Sequence, residues 1–352
     1  MPSASRASGT ARACLLALSA GLAVAGCGGS SRHGSASTSR PPRPARSGQP
    51  PARAGHRSTR HRRLTADLRL DYRSLYSLPA AIRDPATAVL GAGRFALLGG
   101  LDAADVSSAA IEVADAHRAA SAGSLPGPQH DAQAAAIGGD VYVFGGGYTT
   151  ELDHILRWDP ATRTVAEVGA LSVPQSDVAV AAWSGTAYIV GGYDGTDYLN
   201  TIVAWQPGGR PTVQARLPVG LRYAAAAVSG GGLLVIGGST PAGASDAIYR
   251  FDLSTHRVRR IGTLPHPTTH GGAAALRSTV YFVGGRGDAL DAQTDAIYAI
   301  DPLTGAVRRA GRLPVPTSDA AVVALDDGIV VAGGQSPSGV RSTVGELVAA
   351  AG

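Results

Sequence analysis

An all-β domain of six four-stranded repeats closed into a ring is the fold this sequence predicts. Three observations predict it. Six Gly-Gly pairs, at Gly99-Gly100, Gly145-Gly146, Gly191-Gly192, Gly237-Gly238, Gly284-Gly285 and Gly333-Gly334, stand 46, 46, 46, 47 and 49 residues apart. A period in that range marks a repeat architecture. Each pair closes a short apolar run of strand length, such as Val141-Tyr-Val-Phe144 or Thr186-Ala-Tyr-Ile-Val190. The two ends of the periodic region complement each other: the last copy stops after its third strand, and the first is preceded by a spare fourth strand.

Residues 1–26 carry Arg6 and Arg12 ahead of the apolar run 13–24 and read as a secretory signal. The run is too short for a transmembrane helix. It ends Val24-Ala25-Gly26-Cys27, which resembles a bacterial lipobox. The resemblance implies cleavage before Cys27, lipidation of its sulfur and anchoring to the outer face of a bacterial membrane. Residues 27–63 are rich in Arg, Pro and Ser and lack a periodic apolar face, so a disordered tether is expected there. The repeat-forming body is expected to span 64–352.

Charge divides the same way. The 31 basic residues are all arginine, and eleven lie in residues 1–63, which hold no acid. The remaining 20 arginines face 26 acids, a formal −6 for the body. The sequence pI of 9.5 therefore belongs to the tail. With no basic face on the body and no aromatic residue in the arm, nucleic acid is not an expected partner.

Within the third copy, strands are expected at 177–183, 186–190, 200–205 and 211–217. Ser184-Gly185, the polar stretch 193–197 and Gln206-Pro207-Gly208-Gly209 separate them. The other copies share this frame. Their third strands include Ile155-Leu-Arg-Trp158 and Ile297-Tyr-Ala-Ile300, and several stop at an Asp turn (Asp159, Asp252, Asp301). Fourth strands end in Leu-Pro at Leu125, Leu217, Leu264 and Leu313, with Leu171-Ser172 as the variant. The stretch 67–78 ends Leu78-Pro79 in the same way. Joined to the last copy, it closes the ring and leaves no terminal repeat with an open face.

The Gly-Gly pairs, the Tyr before three of them (Tyr142, Tyr188, Tyr281) and the Leu-Pro passages resemble the kelch motif. The resemblance covers about 67–348 and implies a six-bladed β-propeller. One departure is that fourth strands hold Val165, Val213, Val258 and Val307 where kelch repeats usually carry Trp. Kelch-type copper oxidases use a cysteine cross-linked to tyrosine, and the body has no cysteine, so that activity is not expected. Bacterial six-bladed kelch proteins also include a sialic acid mutarotase, whose chemistry needs only a placed acid and base.

In a propeller the segments after each Gly-Gly and each Leu-Pro share one mouth. Five residues beyond the Leu-Pro position stand Asp84, Asp131, Asp177, Tyr223, His270 and Asp319, preceded by Arg83, His130, Ser176, Arg222, Thr269 and Ser318. Two rings at the channel mouth are expected. The repeated Asp suits turn capping through its side chain, with Arg83 and Arg222 as counter-charges. The residues that break the repeat, Tyr223, His270, Arg222 and His130, joined by Arg286, Tyr148 and Tyr193, are the better ligand candidates. No zinc motif or Walker loop occurs, and neither metal nor cofactor is expected. The expected function is an envelope-anchored monomer that binds a protein or glycan at its mouth. The alternatives are a mutarotase-like carbohydrate enzyme and a scaffold for envelope proteins.

Overall fold

The structure, a computed structural model, describes residues 69–350. The signal segment, Cys27 and the tether lie outside the described residues. The described residues form six four-stranded antiparallel sheets, here blades 1 to 6, and two short hairpins. Blades 1 to 5 each run outward in chain order. Blade 3, for example, comprises Ala179–Trp183, Thr186–Val190, Thr201–Trp205 and Thr212–Arg216. Blade 6 takes Ala321–Leu325, Gly328–Ala332 and Thr343–Ala349 from the end of the chain and Leu70–Ser77 as its outermost strand. The ring is thus closed by pairing from Leu70↔Ala349 to Ser77↔Thr343, which places Leu70 on the face away from the mouth.

After its first residue, each second strand is an unbroken apolar run because both of its faces are covered. In blade 2, Val141 and Val143 point into the junction with blade 1, and Tyr142 and Phe144 into the junction with blade 3. Every junction has its own core of this kind, including the one between blades 6 and 1, where Leu78, Val330 and Val344 meet Phe95 and Leu97. The two largest buried side chains, Trp158 and Trp205, sit in third strands at the junctions of blades 1 with 2 and 2 with 3. Each third-to-fourth strand pair contains a register shift, for example between Ile202 and Val203, which adds the local twist that an outer strand needs.

The Gly-Gly pair links neighbouring blades. Gly191 and Gly192 have φ of +62° and +107°. A side chain on Gly191 would collide with the Leu221 carbonyl at the start of the next blade, and the Gly192 N–H donates to that same carbonyl at 2.8 Å. Only glycine allows both the backbone angles and the approach. The other five pairs repeat this contact, as in Gly146 N–H to Gln175 O at 2.9 Å.

The innermost strands surround a channel of about 420 Å³ lined by small residues such as Ala88, Ala135, Val180, Ala226, Ala273 and Val322. Two features depart from the sequence-based expectation. Short hairpins, Ser239–Thr240 with Gly243–Ala244 and Gln335–Ser336 with Gly339–Val340, decorate blades 4 and 6. The six ring residues do not belong to the inner strands: Asp177 precedes a strand that starts at Ala179.

Candidate functional site

Asp84, Asp131, Asp177, Tyr223, His270 and Asp319 form one ring at the mouth. All six adopt left-handed backbone, with φ between 52° and 59°. The reason is a belt of backbone hydrogen bonds. The N–H of five of the six ring residues donates to the carbonyl of the preceding blade's ring residue: Asp177 to Asp131 (2.8 Å), Tyr223 to Asp177 (3.0 Å), His270 to Tyr223 (3.1 Å), Asp319 to His270 (2.9 Å) and Asp84 to Asp319 (2.9 Å). Asp and His tolerate this region better than most residues, which explains the recurring acid. The expected capping of backbone N–H groups by the Asp side chains is replaced by this belt: the shared task lies in the backbone conformation.

The residue before each ring position pairs in antiparallel fashion with the residue after a Gly-Gly pair of the same blade. The pairs include Arg83 with Leu101, His130 with Gly147, Ser176 with Tyr193, Arg222 with Ser239 and Thr269 with Arg286. The structure therefore brings together the six ring residues, the residues before them, Tyr193 and Arg286, whereas Tyr148 stands exposed on its loop.

The side chains occupy the axis and satisfy one another. Arg83 donates to Asp84 at 2.9 Å and Asp105 at 2.7 Å. Arg222 Nη2 donates to the Tyr223 hydroxyl at 3.2 Å, which donates to Asp131 Oδ2 at 3.1 Å. Arg222 Nε lies 2.6 Å from Asp177 Oδ2, a close charge pair whose N–H is not aimed at the oxygen. The Tyr223 and His270 rings stack at 3.7 Å.

Arg286 donates to His270 Nε2 at 3.1 Å. Because arginine only donates, Nε2 is the bare nitrogen and Nδ1–H donates to Thr269 Oγ1 at 2.9 Å. The Thr269 hydroxyl reaches Ser239 Oγ at 2.8 Å. His270 is thus neutral, its pKa pushed down by burial and by Arg286. Its 3.9 Å approach to Asp319 is accordingly not an ion pair at neutral pH. Burial likewise lowers His130, which is held by Ser107 Oγ at 2.8 Å.

Burial dominates the ring acids too. It raises Asp131 to about 6, aided by Asp319, and Asp177 to about 7, aided by Asp131. Asp84 is also raised by burial and by Asp319. The space between the ring side chains is about 70 Å³, well below the size of a small-molecule site. The ring is a plug.

Above the plug the six-fold pattern fails on one side. The Arg222 guanidinium lies 4.7 Å from the Tyr193 ring centre, 5.4 Å from Tyr198 and 4.7 Å from Tyr223. Tyr193 and Tyr198 meet edge to face at 5.9 Å. Tyr148 is 56% exposed on the neighbouring loop, and Val106 and Leu290 are exposed on other loops of the same face. Tyr198 had no signal in the sequence, since a Tyr at a polar loop tip has no counterpart in the other copies. Asp105 and Ser107 were missed for the same reason.

The comparisons with known proteins agree with this architecture. The kelch motif family model matches residues 220–265, one repeat that runs from the mouth segment of blade 4 to its Leu-Pro exit. Its frame is repeated six times in phase. The domain is a six-bladed β-propeller, and its fourth repeat matches the kelch motif. A solved structure, "Structure of YjhT", superposes with a TM-score of 0.68 at 16% identity, covering 76% of this chain and 95% of that one. At that identity the likeness concerns the fold alone. No curated protein matches the sequence significantly. Against this kelch frame, Arg222, Tyr193, Tyr198 and Arg286 are departures from the repeat, which is why they define a site and the glycines define the fold.

Proposed function

We propose that this kelch propeller is a binding module that takes a protein partner or a glycan on its mouth face, held at the outer side of a bacterial membrane by a lipid on Cys27. The observation that carries the reading is Arg222, packed against Tyr193, Tyr198 and Tyr223 beside Asp177. A rigid aromatic–arginine cluster loses little side-chain entropy on binding, and Tyr and Arg dominate binding hot spots for that reason. Because the plug beneath leaves only about 70 Å³, a ligand rests on the mouth and does not enter it. The exposed Val106, Tyr148 and Leu290 extend the contact face outward. The described chain begins on the opposite face, at the Leu70 end of the outermost blade 6 strand, which suits outward presentation of the mouth.

The test is a thermal-shift screen of glycans and candidate envelope proteins against the full chain. A ligand of the folded state raises the melting temperature. Tyr193→Ala with Arg222→Ala is expected to abolish the shift and leave the folded circular-dichroism spectrum intact. A shift that survives in this double variant would remove the mouth reading and favour a scaffold that uses the blade flanks.

A mutarotase-like reading draws on Asp131 and Asp177, raised to about 6 and 7, beside neutral His270. These acids are poised for proton transfer near neutrality. A sugar ring would reach them only if Tyr223 swung away from His270, since the plug cavity is smaller than a pyranose. Turnover of a reducing sugar that is lost in His270→Ala would support this reading over simple binding.

A further inference from the structure

Blade 3 carries a second, polar groove of about 310 Å³, away from the mouth, on the outward part of the blade. Its origin is legible in the repeat frame. The third-strand residue that faces the second-strand Tyr188 is Ala204. At the same register blade 2 has Arg157, blade 4 has Arg250 and blade 6 has Glu346. Those long side chains are pinned by partners: Arg157 by Asp140 at 2.7 Å, Arg250 by Asp252 at 2.7 Å, and Glu346 by Arg73. Blade 5 also has an alanine, Ala299, but its fourth-strand neighbour is the long Arg308. In blade 3 the corresponding neighbour of Ala204 is the short Thr212. The space is left open.

What remains around that space has a definite chemistry. Gln206 donates its amide to Thr186 Oγ1 at 2.8 Å, and Gln214 donates to Thr212 Oγ1 at 2.9 Å. Each pair fixes an amide and leaves its carbonyl oxygen free to accept. Trp205 is tied to the turn by its indole N–H, which donates to Gly209 O at 3.1 Å, so the turn that carries exposed Arg210 is held in place. The ring of Tyr188 is partly open to the groove. No carboxylate lines it. Its volume reaches the lower end of small-molecule sites.

We infer that this groove is a second ligand site, for a neutral hydroxyl-rich ligand, a single sugar unit, held against Tyr188 by Gln206, Gln214 and Arg210. Fixed amides that accept, an arginine that donates and an aromatic face match the alternating hydroxyls and the apolar C–H face of a pyranose. The absence of carboxylates in the lining disfavours a cation, and the two amides give an anion no second positive charge. This site does not depend on the mouth reading.

The experiment uses the full chain and free glucose, galactose, mannose and N-acetylglucosamine at millimolar concentration, read by saturation-transfer NMR. The double variant Thr186→Asp with Ala204→Arg copies the blade 2 ion pair into blade 3 and fills the groove with a pair that the fold already tolerates. At least one sugar is expected to bind the natural sequence, and the filled variant is expected to lose at least about ten-fold in affinity. If the filled variant does not fold, Gln206→Ala with Gln214→Ala serves instead, since Gln206 is exposed and Gln214 half-buried. Arg222→Ala is expected to leave this signal unchanged, which separates the groove from the mouth. Because the mouth could also take a sugar, the groove variants are compared in the Arg222→Ala background; the inference is overturned if none of the four sugars binds that background, or if binding to it persists when the groove is filled or its amides deleted.

Discussion

At the residue scale, backbone conformation decides which side chains appear at the mouth. Six non-glycine residues sit in the left-handed region because the carbonyl–amide belt around the axis requires it. Four are Asp, whose short side chain makes that region accessible. Gly191 is the stricter case. Its φ of +62° and its contact with the Leu221 carbonyl exclude any β-carbon. Gly191→Ala is expected to cost at least about 2 kcal/mol, read as a lower urea midpoint with an unchanged slope. A cost below about 0.5 kcal/mol would mean that the blade junction relaxes freely. Arg222 illustrates the opposite principle: its backbone pairing is common to all blades, but its guanidinium is placed by three tyrosines from two blades, a side-chain arrangement that no other blade repeats.

At the scale of elements, each blade is stable only against its neighbours. Trp205 shows how. It is 1% exposed, belongs to blade 3, and packs at 4.9 Å on Tyr142 and at 5.4 Å on Phe144 of blade 2. Trp205→Ala is expected to destabilise by about 3–5 kcal/mol, the range for deleting a buried aromatic, as measured by chemical denaturation. The closing strand Leu70–Ser77 makes the same point for the ring. Leu70 contributes to the junction of blades 5 and 6, and Tyr72 packs beside it. A chain that starts at residue 78 leaves the outer edge of blade 6 unpaired and this core uncovered. It is expected to be recovered as aggregate, whereas a chain that starts at residue 64 is expected to melt as the full chain does. Equal solubility of the two truncations would show that closure is dispensable.

At the scale of the whole molecule, the ring acids of four blades titrate as one group around the axis. Free Asp titrates at 3.8, while Asp131 and Asp177 are raised to about 6 and 7 in the folded protein. A raised folded pKa means that the folded state holds protons the unfolded chain has already lost. The corresponding stabilisation is complete below about pH 4 and is lost as pH rises through 6 and 7. Neutral His130 and His270 act in the opposite direction below about pH 6.5, so the acids' loss is expected as a fall in stability between about pH 6.5 and pH 8, on the order of 1 kcal/mol. Asp131→Asn keeps the left-handed preference and an acceptor for the Tyr223 hydroxyl, and is expected to flatten the profile. Melting temperatures across that range decide it: a profile that rises with pH would contradict the assignment of protonated acids to the plug.

The sequence by itself determined the number of blades, the strand frame, the closure of the ring by the segment that precedes the first blade, and the shared offset that places six ring residues at the mouth. It did so because a propeller repeats one set of contacts six times, and every repeated contact leaves a repeated residue: Gly191-Gly192 for the junction, Leu217-Pro218 for the passage between blades, Asp177 for the belt. Even the left-handed ring was legible in part, since Asp and His at one shared offset are the residues that tolerate it. Only the tertiary structure decided that the ring is a plug, that Tyr198 completes the wall around Arg222, and that Ala204 leaves blade 3 open. Those features arise where residues far apart in the chain meet once. A contact made once has no period, and without a period nothing in the sequence distinguishes it from an ordinary loop or strand residue.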